Sequence, residues 1–148
     1  MQASAPARAI DTLLARYAGR HRNPINERIH CVCVPLIVFA LLGMLWWLHP
    51  LAAVAASAAA LYYYFQLSRP FAVGMLAMTL LMLGVLRVMP AAAVLPVSIA
   101  WFVLAWIGQV IGHQIEGRRP AFLDELRLLL IGPVFVLGFL YRRLNVAY

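Results

Sequence analysis

Apolar runs close to the length of a membrane crossing, separated by short polar breaks, make up most of this chain. Runs cover about residues 31–48, 51–67, 71–88 and 91–112, with Pro50, Pro70 and Pro90 at the joints. Each approaches the ~20 residues that a bilayer-spanning helix needs, and the even spacing follows from bilayer thickness rather than from a sequence repeat. The first run ends in "WWLHP", whose tryptophans suit a membrane–water interface. The second contains "AAVAASAAA", small side chains that permit close helix contact. A last apolar stretch, "LLLIGPVFVLGFLY" at 128–141, is shorter and carries Gly132-Pro133 near its middle. It is preceded by Asp124, Glu125 and Arg127 and followed by Arg142 and Arg143. This pattern predicts a re-entrant or interfacial hairpin rather than a full crossing.

Ahead of the apolar runs, residues 4–20 predict an amphipathic helix. Ser4 serves as its cap, Pro6 lies in its first turn, and Ile10, Leu13, Leu14 and Tyr17 recur at helical spacing before Gly19 ends it. Such a helix lies along the membrane surface or packs on the end of the bundle. The expected architecture is an all-α integral membrane bundle forming one domain over 1–148. Within it, 4–30 form the surface helix and polar loop, 31–112 the four spans, and 113–148 a polar motif and C-terminal hairpin.

Composition supports the bilayer: 65% of the residues are hydrophobic, well above the roughly half of a soluble domain. All twelve basic residues are arginine and five residues are acidic, giving a net charge of +7. The charge is spread through short loops, with no basic patch interleaved with aromatics, which argues against a nucleic-acid partner. With four spans and both termini cytoplasmic, eleven arginines fall on the cytoplasmic side and only Arg87 near the other. No secretory signal is evident, because the first 30 residues carry five arginines and no continuous apolar core. Cys31 and Cys33 read as small core residues, too close for an ordinary disulfide and without a second pair for zinc.

The chemistry concentrates in two polar segments at one face. "HRNPINERIH", residues 21–30, brings His21 on a loop and His30 on the first turns of span one. Pro24 breaks the preceding helix, and Asn26 is the expected cap. Glu27 reads as a helix-start acid favoured by the dipole. In "GQVIGHQIEGRRP", Gln109, His113 and Glu116 form one stripe on the end of span four. Three imidazoles and a carboxylate beneath a membrane surface suit a divalent first-row metal. The plainer alternative is that these groups are anchors, caps and ion pairs, with Glu116 paired to Arg28, Arg118 or Arg119. His49, beside Pro50, reads as a turn residue at the opposite interface.

Together, "HRNPINERIHCVCVPLI" and "GHQIEGRRPAFLDELRLLLIGPVF" resemble a family of small integral membrane 2-hydroxy fatty acid dioxygenases. The shared pattern is H-x-N-P-x-N-x-x-I-H with a proline five residues on, then a G-H…E-x-R-R-P-A segment, here with one residue fewer between His and Glu. The match is strongest at His21, Asn23, Pro24, Asn26, His30, His113, Glu116, Arg119 and Pro120. The resemblance implies iron(II)- and O2-dependent α-oxidation of a 2-hydroxy fatty acid, shortening it by one carbon. It implies iron held by His21, His30 and His113, with Glu116 also in the catalytic set. Arg118 or Arg119 is then expected to hold the substrate carboxylate, and Asn23 and Asn26 to support the site. Phe139, in "VLGFLY", stands where relatives often carry a glutamate. The implied setting is a bacterial inner membrane with the site on the cytoplasmic face; association into an oligomer is compatible with all of this. Two rivals use the same residues differently: a transporter or channel with His113 and Glu116 as coupling groups, and a noncatalytic membrane scaffold.

Overall fold

A computed structural model describes residues 8–119 and 127–148. Among them the chain is wholly helical, with no strand: α1 Ala9–Ala18, α2 Pro24–Leu48, α3 Pro50–Leu67, α4 Arg69–Val88, α5 Ala91–Glu116 and α6 Arg127–Arg143. The expected Ser4 cap and Pro6, together with Pro120, Asp124 and Glu125, lie outside the described residues.

Prolines and small polar caps set the boundaries as the sequence suggests. Pro24, Pro50 and Pro70 occupy first-turn positions of α2, α3 and α4, where a missing N–H costs nothing. His49 closes α2 and opens α3, its Nδ1 accepting from Leu51 N at 3.2 Å. Gly117 ends α5 in the left-handed conformation, φ 69°.

Among the described residues, three helices, α2, α4 and α5, are long and apolar enough to cross a membrane. α3 is 18 residues long, but Tyr62, Tyr63, Tyr64 and Gln66 dilute its apolar character. Three expectations are corrected. The N-terminal helix does not run unbroken through Arg8, which is extended, and α1 starts at Ala9. Asn26 does not cap α2; Asn23 does, its Oδ1 accepting from Ile25 N at 2.9 Å, so that Pro24 begins the helix. Gly132-Pro133 does not turn a hairpin, since α6 runs through it as one 17-residue helix. The broken hydrogen bond is tolerated because Ile131, Gly132, Pro133 and Val134 are buried against the rest of the bundle.

The closest helix pair is α2 with α5, antiparallel neighbours joined through α3 and α4. Glycines permit the approach. A Cβ on Gly108 would stand 2.6 Å from Cys33 Sγ, and one on Gly112 would collide with Asn26 Oδ1. Gly43 of α2 faces Ser98 of α5 in the same way at the far end. α1 lies on α6, burying Ile10 with Tyr64, Phe71, Met75 and Val134, and Tyr17 with Leu128, Ile131 and Phe135. It therefore packs on the end of the bundle. At the far end, Leu42, Ala53, Leu86 and Val94 form a separate cluster.

Candidate metal centre

The N-terminus of α2 and the C-terminus of α5 meet at one end of the bundle, and the α1–α2 loop folds over them. His21 on the loop, His30 in the second turn of α2 and His113 on the last turn of α5 are all buried. One candidate ligand atom from each lies within 4.8 Å of the other two. Ring centroids of His30 and His113 are 4.9 Å apart, and those of His21 and His113 5.4 Å.

The tautomers follow from the backbone. His21 Nδ1 lies 2.8 Å from the Tyr17 carbonyl and His30 Nδ1 2.9 Å from the Asn26 carbonyl. A carbonyl only accepts, so both Nδ1 atoms carry the proton and donate. This leaves the two Nε2 lone pairs aimed at one another, 3.0 Å apart. Lone pairs so placed repel unless a cation or a shared proton lies between them, and a proton would make one buried ring cationic. Two nitrogens bound to one metal at ~2.1 Å and at right angles stand ~3 Å apart. An N–H given to a backbone carbonyl is also the usual way a metal-binding imidazole is oriented. His113 Nδ1 is buried without a hydrogen-bond partner among the described residues. The donor set fits a divalent metal, with three neutral imidazoles from three separate elements.

Electrostatics favour that state. Burial lowers the His21 imidazole below its ordinary value, keeping the ring neutral and able to coordinate. Tyr17 stacks on His21 with centroids 4.3 Å apart and planes 8° from parallel, and Phe135 packs against both. Burial pushes the Tyr17 phenol above its usual range, so it contributes a neutral ring.

Glu116 has a different position. Its Oε1 accepts from Arg22 N at 2.9 Å, and its Oε2 from Asn23 N at 2.9 Å and Asn26 Nδ2 at 3.1 Å. The carboxylate thus bridges the end of α5 to the loop that carries His21. Arg118 adds a bond from Nη1 to the Gly19 carbonyl at 3.1 Å. His49 lies at the other end of α2.

From the three histidines a cavity of about 270 Å3 extends down the bundle. Its wall is almost entirely apolar, and at the histidine end it includes Tyr17 and Gln109. Asn23, Asn26, Arg118 and Arg119 are not on that wall; both arginines are exposed. Phe139 also lies elsewhere, beneath Arg142 and Arg143 with guanidinium-to-ring distances of 5.9 and 5.3 Å.

Sequence reasoning brought the three histidines together correctly but missed their support. The stacking of Tyr17 and Phe135 on His21 carried no sequence signal beyond helical spacing. Gly108-x-x-x-Gly112 did carry one, since small residues four apart on a span mark a close helix contact. The alanine-rich run of α3 was expected to serve that purpose, yet within it only Ala53 and Ser57 are buried.

The Mpo1-like family, described as "2-hydroxy-palmitic acid dioxygenase Mpo1-like", matches residues 7–144. A curated relative, the 2-hydroxy-palmitic acid dioxygenase MPO1 of Saccharomyces cerevisiae, is 32% identical over 130 residues, covering 84% of this chain and 75% of the yeast protein. No solved structure matches.

Proposed function

The chain belongs to the Mpo1-like family, and on that premise we propose that it is an iron(II)-dependent membrane dioxygenase acting on 2-hydroxy fatty acids. The observation that carries this reading is the buried pair of facing Nε2 atoms, with His113 beside them, opening onto an apolar cavity. A metal centre joined to a hydrocarbon-like pocket suits a substrate with a chelating head and an acyl tail. A transporter or scaffold has no need of either.

The reaction we propose breaks the C1–C2 bond of the 2-hydroxy acid and converts C2 into the carboxyl of an acid one carbon shorter. With CO2 and water as the other products, one O2 balances the atoms and accepts the four electrons released. Iron(II), held by His21, His30 and His113, would supply the redox chemistry with O2 that the amino-acid side chains here lack, and three protein ligands leave open positions.

The chain's own groups do the rest. Tyr17 O and Asn26 O hold the Nδ1 protons of His21 and His30, which fixes each ring with Nε2 inward. Glu116 is a positioning residue that holds the His21 loop. Gln109, buried on the cavity wall one turn before His113, offers amide donors to the substrate carboxylate or hydroxyl. The apolar wall keeps bulk water from the reacting carbons. Arg118 and Arg119, at the interface rather than in the cavity, gather fatty carboxylates at the surface.

In the same reading α2, α3, α4 and α5 all cross a bacterial inner membrane, with both termini and the histidines on the cytoplasmic side, as the arginine distribution favours. The test is O2-dependent loss of a 2-hydroxy fatty acid by anaerobically purified protein, with and without added iron(II). We expect about one iron per chain and a product one carbon shorter. Stoichiometric zinc that survives iron supplementation, with no turnover, refutes the proposal.

A further inference from the structure

We infer that the small side chains of α3, Ser57 and Ala60, set how long an acyl chain the cavity accepts. This rests on the reading above, because the head of the cavity is the histidine cluster. The cavity wall is a set of aligned helical stripes. On α2 it uses His30, Val34, Val38, Leu41 and Leu45, and on α3 Ser57, Ala60, Leu61 and Tyr64. At 1.5 Å per residue, His30 to Leu45 spans ~22 Å, most of the ~30 Å hydrocarbon core of a bilayer.

Depth can be read from the turns. α2 and α3 meet at His49, so Leu41 and Ser57, eight residues to either side, lie at one level. α3 and α4 meet at Ser68, which places Thr79 at that level too, eleven residues beyond it as Ser57 is eleven before. This layer is ~16 Å below His30 along α2. Ala60 is one turn nearer the histidines, level with Val38. Below the layer, Ala53, Leu86 and Val94 pack together with Leu42 of the cavity wall.

At that layer α3 contributes only Ala56 and Ser57 to the wall, and the serine's polarity is hidden. Ser57 Oγ donates to the Ala53 carbonyl at 2.7 Å, so an acyl chain meets its Cβ rather than an unpaired hydroxyl. At the other end, the buried His113 Nδ1 without a partner among the described residues marks where a polar head is received. A pocket with a polar head, an apolar shaft and a floor measures chain length. The residues that narrow or free the shaft set the measure.

The experiment is a chain-length profile with 2-hydroxy fatty acids of graded length, on protein whose iron content is confirmed. Ser57→Leu should lower kcat/KM for the longest acids roughly tenfold or more relative to short ones, since each methylene excluded from burial is worth about fourfold. Ala60→Leu should move the cut-off to still shorter chains. Ala58→Leu and Ala59→Leu, on the exposed side of α3 and off the cavity wall, should leave the profile as it is. A second measurement uses unaltered protein and needs no turnover. A 2-hydroxy fatty acid with a diazirine at its methyl end, photolysed in place, should label Leu41, Leu45 or Ser57. Unchanged profiles in iron-loaded Ser57→Leu and Ala60→Leu overturn the inference, as does labelling confined to outward residues such as Val54 and Ala58. Labelling at the deep layer in a protein that consumes no 2-hydroxy acid would instead overturn the dioxygenase reading and leave the acyl pocket standing.

Discussion

Glu116→Gln separates a metal ligand from a residue that positions one. The carboxylate accepts three hydrogen bonds, from Arg22 N, Asn23 N and Asn26 Nδ2, at 2.9, 2.9 and 3.1 Å. Bonds to an ionised acceptor contribute about 1.5–3 kcal/mol each, against about 0.5–1.5 for neutral ones. Glutamine keeps one oxygen acceptor but turns an NH2 toward an N–H donor, so at least one bond is lost and the others weaken. Because the group is partly exposed, water repairs part of the loss, and a net cost of about 2 kcal/mol is reasonable. If that cost falls on the closed loop that presents His21, metal affinity drops about 30-fold, at 1.36 kcal/mol per decade. The assay is competition for iron(II) against a chromophoric chelator under anaerobic conditions, read beside turnover at saturating iron. Turnover should largely return when iron is raised to compensate. Glu27→Gln, removing an acid 3.9 Å from Arg142 that makes no hydrogen bond to a histidine among the described residues, should bind iron normally. Two results refute the reasoning: a loss of iron as complete as in His113→Ala, which makes Glu116 a ligand, or affinity equal to the unaltered protein.

Three other predictions follow from the same geometry. His21→Ala, His30→Ala and His113→Ala should each lose iron and turnover, while His49→Ala at the other end of α2 keeps both; metal analysis of the four purified variants decides it. Gly112→Ala should destabilise the protein by about 1–3 kcal/mol, because its methyl group meets Asn26 Oδ1 across the tight α2–α5 contact; a thermal midpoint in detergent equal to the unaltered one would contradict this. Reporter fusions at residues 1 and 148 should both read cytoplasmic and one at His49 the opposite side, and a C-terminal reporter active only outside would show that α6 crosses.

Much of the bundle was legible because bilayer length and proline placement act locally. Pro50, Pro70 and Pro90 fall at the helix joints, where φ restriction and a missing N–H disfavour a continuous helix. The histidine cluster was legible because a loop histidine before Pro24 and a helical one after it sit on the same end as His113. What failed depended on choices between near-equal local solutions. Asn23 and Asn26 both suit a cap, and the winner is the one immediately before the proline. Gly132-Pro133 can turn a chain or be carried inside a helix, and burial of α6 against α1, α2 and α4 chose the second. The role of Glu116 could not be read from helical spacing, because its partners are backbone N–H groups more than ninety residues away.

That separation has a consequence for how the protein is made. His21 and His30 leave the ribosome early, and His113 arrives about eighty residues later, after α3 and α4 have been laid down between them. At ~5–20 residues per second, the two early imidazoles wait for roughly 4–16 s before α5 can return to α2 and bring the third. Before that return the loop has only local contacts, such as Tyr17 on His21, since the Glu116 carboxylate that fastens it to α5 comes three residues after the last histidine. The three histidines therefore meet only after α5 has been made. A chain cut short between His30 and His113 is released with two of the three imidazoles and no latch, so tight metal capture reports that synthesis has passed that point.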